Sequence, residues 1–106
     1  MDRTTRRRLE ERAEVIKAMA HPSRLYLVEQ LAIGERCVCE LTDGVGADIS
    51  TVSRHLGQLR SAGIVESERR GQKVFYRLRT PCVLNFFDCI ENVLNESEVA
   101  SASCNC

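Results

Sequence analysis

"DISTVSRHLGQLRSAGIVESERRGQKVFYRL", residues 48–78, changes its hydrophobic period midway, and that change decides the fold. In the first half Ile49, Val52, Leu56 and Leu59 recur at spacings of three and four, the stripe of an amphipathic helix. Asp48 or Ser50 suits the start of that helix as a cap, and Gly63 suits its end. Ile64 and Val65 then lead through polar residues and a glycine-containing turn to the β-rich Val74-Phe75-Tyr76, which reads as a hairpin.

Helical periods lie on both sides of this stretch. Residues 4–19 place Leu9, Ala13, Ile16 and Met19 (or Ala20) on one stripe, and "HPSR" at 21–24 ends it, because a proline disfavours helix at the residue before it. The same proline suits the first turn of a second helix, with Leu25, Val28, Leu31 and Ala32 as its stripe and Gly34 as its stop. A short third segment runs from Cys37 to about Val45, with Leu41 and Val45 inward. Pro81 opens a fifth helix carrying Val83, Phe86, Phe87, Ile90, Val93 and Leu94.

The expected organisation is one domain over residues 1–96 and a small, polar tail over 97–106 that is disordered unless a ligand holds it. The expected fold is mainly α with a β-hairpin. Five helices plus a two-stranded wing, in this order, make a winged helix-turn-helix.

The 106 residues suffice for one small domain with a thin core, and such chains often gain burial by dimerising. With no Trp and five aromatics, a base-stacking surface for single strands is not expected. Net charge is zero, but residues 50–79 hold seven basic and two acidic side chains, whereas residues 25–49 hold one and five. A basic middle of that kind points to a polyanion partner. No apolar run is long enough for a membrane span, and the charged start is unlike a secretory leader, so the expected compartment is the cytoplasm. Six cysteines there read as ligands or redox groups, not as a disulfide framework.

With its apolar stripe turned inward, the fourth helix leaves Ser50, Thr51, Ser53, Arg54, His55 and Gln58 exposed. These short hydroxyl, amide and cationic groups suit base edges and phosphates in a major groove. The hairpin tip, Arg69-Arg70-Gly71-Gln72-Lys73, places Arg69, Arg70, Gln72 and Lys73 within reach of the neighbouring backbone, a source of affinity more than of sequence choice. The competing interpretation is a solvated helix face followed by an ordinary charged turn.

"AMAHPSRLYLVEQL", "CVCEL" and "STVSRHLGQLRSAGIVESERRGQKVFYRL" together resemble the ArsR/SmtB family of metal-sensing bacterial repressors over residues 13–79. The resemblance implies a homodimer through the first and fifth helices, a roughly twofold operator in double-stranded DNA, and release when a metal or metalloid binds. It implies no constitutive cofactor and no catalytic residue. An enzyme that pairs a reactive thiol with His21 or His55 is the reading from another class, but nothing near either histidine resembles an oxyanion hole.

Cys37 and Cys39 are two apart, and in a regular helix such side chains diverge by about 200°. They can share an ion only where the helix start is distorted; otherwise one points inward and the other is idle. The family's arsenic and cadmium sensors have a similar Cys-Val-Cys here, and arsenic sensors often add a third cysteine where this chain has Thr42. A third sulfur, if the site has one, therefore comes from Cys82, Cys89, Cys104 or Cys106. Cys89, beside Phe86 and Ile90, reads as buried filler, whereas Cys82 stands at a helix start, which favours a thiolate.

Thiolates select soft ions, and three of them without a required histidine favour As(III), with Sb(III), Cd(II) or Pb(II) as alternatives. The expected metal ligands are Cys37 and Cys39, completed by Cys104, Cys106 or Cys82. The alternative signal is thiol oxidation or persulfide formation among the same cysteines.

Overall fold

The computed structural model describes residues 1–95. Its elements run α1 (Arg3–Met19), α2 (Pro22–Ile33), β1 (Arg36–Cys37), α3 (Val38–Val45), α4 (Ile49–Ser61), β2 (Val65–Arg70), β3 (Lys73–Leu78) and α5 (Val83–Leu94). The five helices and the hairpin stand where the periodicity placed them. The wing has a third strand, however: the antiparallel sheet has the order β1-β3-β2, with Arg36 opposite Tyr76 and Cys37 opposite Phe75. A two-residue strand is too short to leave an alternating pattern, so β1 is not legible from periodicity.

Capping explains the helix boundaries. His21 is extended and caps α2, its Nδ1 accepting from Ser23 N–H at 3.0 Å, and Pro22 occupies the first turn. Of the two candidate caps for α4 the structure uses Asp48, which accepts from Thr51 N–H at 2.8 Å. Those hydrogen bonds, led by the side-chain contact to Thr51, hold the Asp48 carboxyl below the ordinary range. At the far end Gly63 N–H donates to Arg60 O and Ile64 N–H to Leu59 O, both at 3.0 Å, the paired closure that needs a left-handed residue. Gly63 supplies it at φ 83°. α5 begins at Val83, two residues beyond Pro81, with Cys82 at its cap.

Leu27, Val28 and Leu31 of α2, Leu41 of α3, Val52, Leu56 and Leu59 of α4, and Ile64, Val65 and Tyr76 of the sheet form the core with Met19 and Phe87. The stripe on α2 is rotated from its expected position: Leu27 is buried, while Leu25 and Ala32 are exposed. Ile49 is also exposed, at the open first turn of α4. α1 contributes only Met19, and α5 only Phe87, to the fully buried set. Leu9, Val15 and Ile16 on α1, and Phe86, Ile90, Val93 and Leu94 on α5, face outward. No helix among the described residues is long and apolar enough to cross a membrane.

Candidate nucleic-acid interface and thiol site

α3 ends at Gly46, which adopts the left-handed conformation, and three residues later α4 begins. The two helices pack together, with Leu41 of α3 and Val52 of α4 in the same core, which fixes the outer face of α4. On that face Ser50, Ser53, Arg54 and Gln58 are exposed and Thr51 is half-buried. Gln58 and Ser61 also line an open cleft of about 570 Å³ shared with Lys17, His21 and Arg24.

His55 departs from the expectation: it is buried, with 6% of its surface exposed. Its Nδ1 accepts from Arg24 Nε at 3.0 Å, and its ring lies tilted at 46° against His21 with centroids 4.5 Å apart. The helix geometry gives the reason, since residue 55 lies about 60° from the buried position 52 and about 140° from the exposed position 50. A polar side chain therefore occupies the buried half of α4 and tethers it to α2. Burial first, and then the nearby His21, Arg24 and Arg54, holds the His55 imidazole below its ordinary range. The ring is thus neutral, as its acceptor role requires.

The wing also sorts its charges unexpectedly. Arg69, Gln72 and Lys73 are exposed, and among the described residues neither cation enters an ion pair. Arg70 is exposed as well, but it is engaged. It donates to both oxygens of Glu35, at 2.7 and 2.9 Å, and to Glu68 at 3.0 Å, and it lies 4.8 Å over the Phe75 ring. Arg77 joins the same network through Glu66 at 2.6 Å, Glu68 at 3.1 Å and Glu35 at 3.4 Å. Arg70 holds the Glu35 and Glu68 carboxyls below their ordinary range. In return Arg70 is raised, by Glu68 first and then Glu35, and Arg77 is raised chiefly by Glu66. Part of the basic middle is therefore neutralised by carboxylates. The alternation Glu66, Glu68, Arg70 on β2 carried that signal, because such residues share one face of a strand.

The thiols occupy a bend in the backbone. Cys37 is buried and extended at the end of β1, and α3 starts at the next residue. Cys39, in the first helical turn, is exposed. The divergence expected within one regular helix does not apply, because the chain changes conformation between the two residues. Glu40 closes the corner by accepting from Cys37 N–H at 3.0 Å, and chiefly that backbone bond holds its carboxyl below the ordinary range. Thr42, at the third position, donates to Val38 O at 2.8 Å. Cys82 and Cys89 are both exposed. In the single chain Cys89 is thus not buried filler, since Phe87 is the residue of α5 that turns into the core. Cys104 and Cys106 lie outside the described residues. Among the described residues of a single chain, no three His, Cys, Asp or Glu side chains converge as a metal site.

A short helix, a tight turn, an exposed polar helix and a charged hairpin define a winged helix-turn-helix domain. Residues 21–67 match the family model described as bacterial regulatory protein, arsR family. The chain is 43% identical over 70 residues to the HTH-type transcriptional repressor SmtB of Mycobacterium tuberculosis, covering 66% of this chain and 52% of that one. It is 46% identical over 65 residues to the arsenic resistance transcriptional regulator ArsR1 of Pseudomonas putida, covering 60% and 51%. The chain thus spans about half the length of these curated relatives.

The homodimeric winged helix-turn-helix DNA-binding domain from Mycobacterium bovis superposes with a TM-score of 0.77 at 32% identity, over 92% of this chain and 90% of that one. The chain belongs to the ArsR/SmtB family of winged helix-turn-helix regulators.

Proposed function

We propose that this chain is a transcriptional repressor that grips operator DNA as a homodimer and releases it when a soft ion, arsenite, binds Cys37 and Cys39. The observation that carries the DNA reading is the outer face of α4, where Ser50, Ser53, Arg54 and Gln58 stand exposed, together with the exposed Arg69 and Lys73 of the wing. Hydroxyls and an amide read base edges, and the cations meet phosphates. The homodimer is supported by the apolar residues that α1 and α5 leave in solvent, Ile16, Phe86, Ile90 and Val93 among them, and by the homodimeric state named for the Mycobacterium bovis domain.

For the inducer, the supporting feature is position. Cys37 and Cys39 bracket the start of α3, the helix against which α4 packs. Pulling both sulfurs onto one ion repacks that corner, and thiolates prefer As(III), Sb(III), Cd(II) or Pb(II) to hard cations. Cys82 at the head of α5, or Cys104 and Cys106 in the tail beyond residue 96, supplies the third sulfur. The likeness to ArsR1 favours arsenite within this set.

The test is an anisotropy titration of a duplex from the promoter upstream of its own gene, repeated with As(III), Sb(III), Cd(II), Pb(II) and Zn(II). Release at the lowest concentration by As(III) is the expected result. Indifference to every ion, with release by polysulfide or oxidant instead, would replace ion sensing with thiol oxidation or persulfide formation.

A further inference from the structure

Strand β1 is two residues long, yet it connects the thiol corner to the wing. Two backbone pairings onto β3 are little to hold an edge strand, so its side chains matter. Glu35, immediately before β1, provides the attachment. One of its oxygens accepts from Arg70 Nη1 at 2.7 Å, and the other accepts from Arg70 Nη2 at 2.9 Å and Arg77 Nη1 at 3.4 Å. A single carboxylate thus pins β1 to β2 and β3 together. The paired fork of Arg70 is the strong form of this contact. Arg70 is itself oriented by Glu68 and by the Phe75 ring, and Phe75 stands opposite Cys37 in the register.

On the other side of β1, Glu40 holds Cys37 N–H at the start of α3. Cys37 therefore lies between two carboxylate contacts, one to the wing and one to the helix-turn-helix. Glu35 is about 7 Å from it along the extended backbone. At that distance the wing end of β1 cannot shift without moving Cys37.

We infer that Glu35 is a positioning residue that couples the buried thiol of Cys37 to the wing through Arg70 and Arg77. This rests on the DNA-binding reading for its purpose, but the clamp itself can be tested without DNA. While the clamp is closed Cys37 is shielded and the wing is held in one pose. DNA that fixes the wing protects Cys37, and a ligand that draws Cys37 out loosens the wing, since linkage acts equally in both directions. Arg70 serves this clamp, which removes it from the residues expected to meet phosphate directly.

Alkylation by iodoacetamide, followed residue by residue by mass spectrometry in the full-length chain, tests the coupling. Exposed Cys39 is the internal reference. Without DNA, E35Q and R70Q each speed alkylation of Cys37 by about two- to fivefold, the range appropriate to losing partly exposed ion pairs, and leave Cys39 unchanged. The double variant E35Q/R70Q is no faster than E35Q alone, because E35Q already loses the carboxylate that Arg70 and Arg77 share. An unchanged Cys37 rate, an equal rise at Cys39, or additive single effects would overturn the coupling.

In a second arm, saturating promoter duplex slows Cys37 alkylation in the unaltered protein, and E35Q keeps less than half of that protection. Full protection in E35Q would also overturn it. If the unaltered protein binds no duplex, the DNA reading fails, and the DNA-free arm still decides the clamp.

Discussion

Replacing Arg69 and Arg70 by glutamine, one at a time, separates phosphate contact from internal clamping. The exposed cations on the proposed DNA face that enter no ion pair among the described residues are Arg54, Arg69 and Lys73, three per chain. A homodimer then offers about six phosphate contacts, and at about 0.9 per contact the slope of log K against log salt is about −5. R69Q removes two contacts per dimer and flattens the slope by about 1.8. Between 50 and 200 mM salt that difference amounts to about tenfold in the ratio of affinities.

R70Q behaves differently. Arg70 already meets Glu35 and Glu68, so its loss changes the slope by less than about 0.5. Fluorescence anisotropy with a labelled promoter duplex, titrated at five salt concentrations for each variant, measures both slopes. Equal flattening by R69Q and R70Q would refute the reasoning, since it would mean that phosphate displaces the carboxylates.

Three further outcomes follow from the fold. His55 is neutral in its buried site with a lowered pKa, so the unfolded chain, titrating near 6.5, binds the proton first; stability is level above about pH 7 and falls as pH drops below 6.5 toward the folded value. Thermal midpoints read from pH 8 to 5.5 should fall in the unaltered protein and stay flatter in H55Q, with the carboxylates Glu35 and Glu68 adding their own loss only below about 4.5. Gly63→Ala places a side chain at φ 83° with no close clash, its nearest neighbour being Arg79 at 3.6 Å, so urea denaturation should show a loss of about 1–2 kcal/mol from backbone strain alone. Ile90→Glu on the outer face of α5 should convert a dimer to a monomer by light scattering and weaken duplex binding at least tenfold, while leaving the far-UV helix signal intact.

The order of elements was legible because helices and hairpins write different periods into the chain, and α4 followed by β2 and β3 shows the change within residues 48–78. Helix boundaries were legible at Pro22 and Gly63, and the cap of α4 was narrowed to Asp48 or Ser50, for local backbone reasons. What stayed hidden depends on non-local contact. β1 is too short for a period, and the burial of His55 follows from its partners His21 and Arg24, which lie in another helix. The Glu35–Arg70 clamp joins residues 35 positions apart. Cys89 and its apolar neighbours Phe86 and Ile90 face outward in a single chain, because the faces of α1 and α5 that resemble core in sequence are surface there.

On this mechanism a helix-and-wing DNA grip is released through the thiols at the head of α3. Arsenite titration of the preformed protein–duplex complex, comparing the unaltered protein with Cys37→Ser/Cys39→Ser, tests it most directly. Both should bind the duplex with similar affinity, the unaltered protein should release it at micromolar arsenite, and the double variant should hold on at concentrations at least a hundredfold higher. Release of the double variant at the same arsenite concentration as the unaltered protein would contradict it.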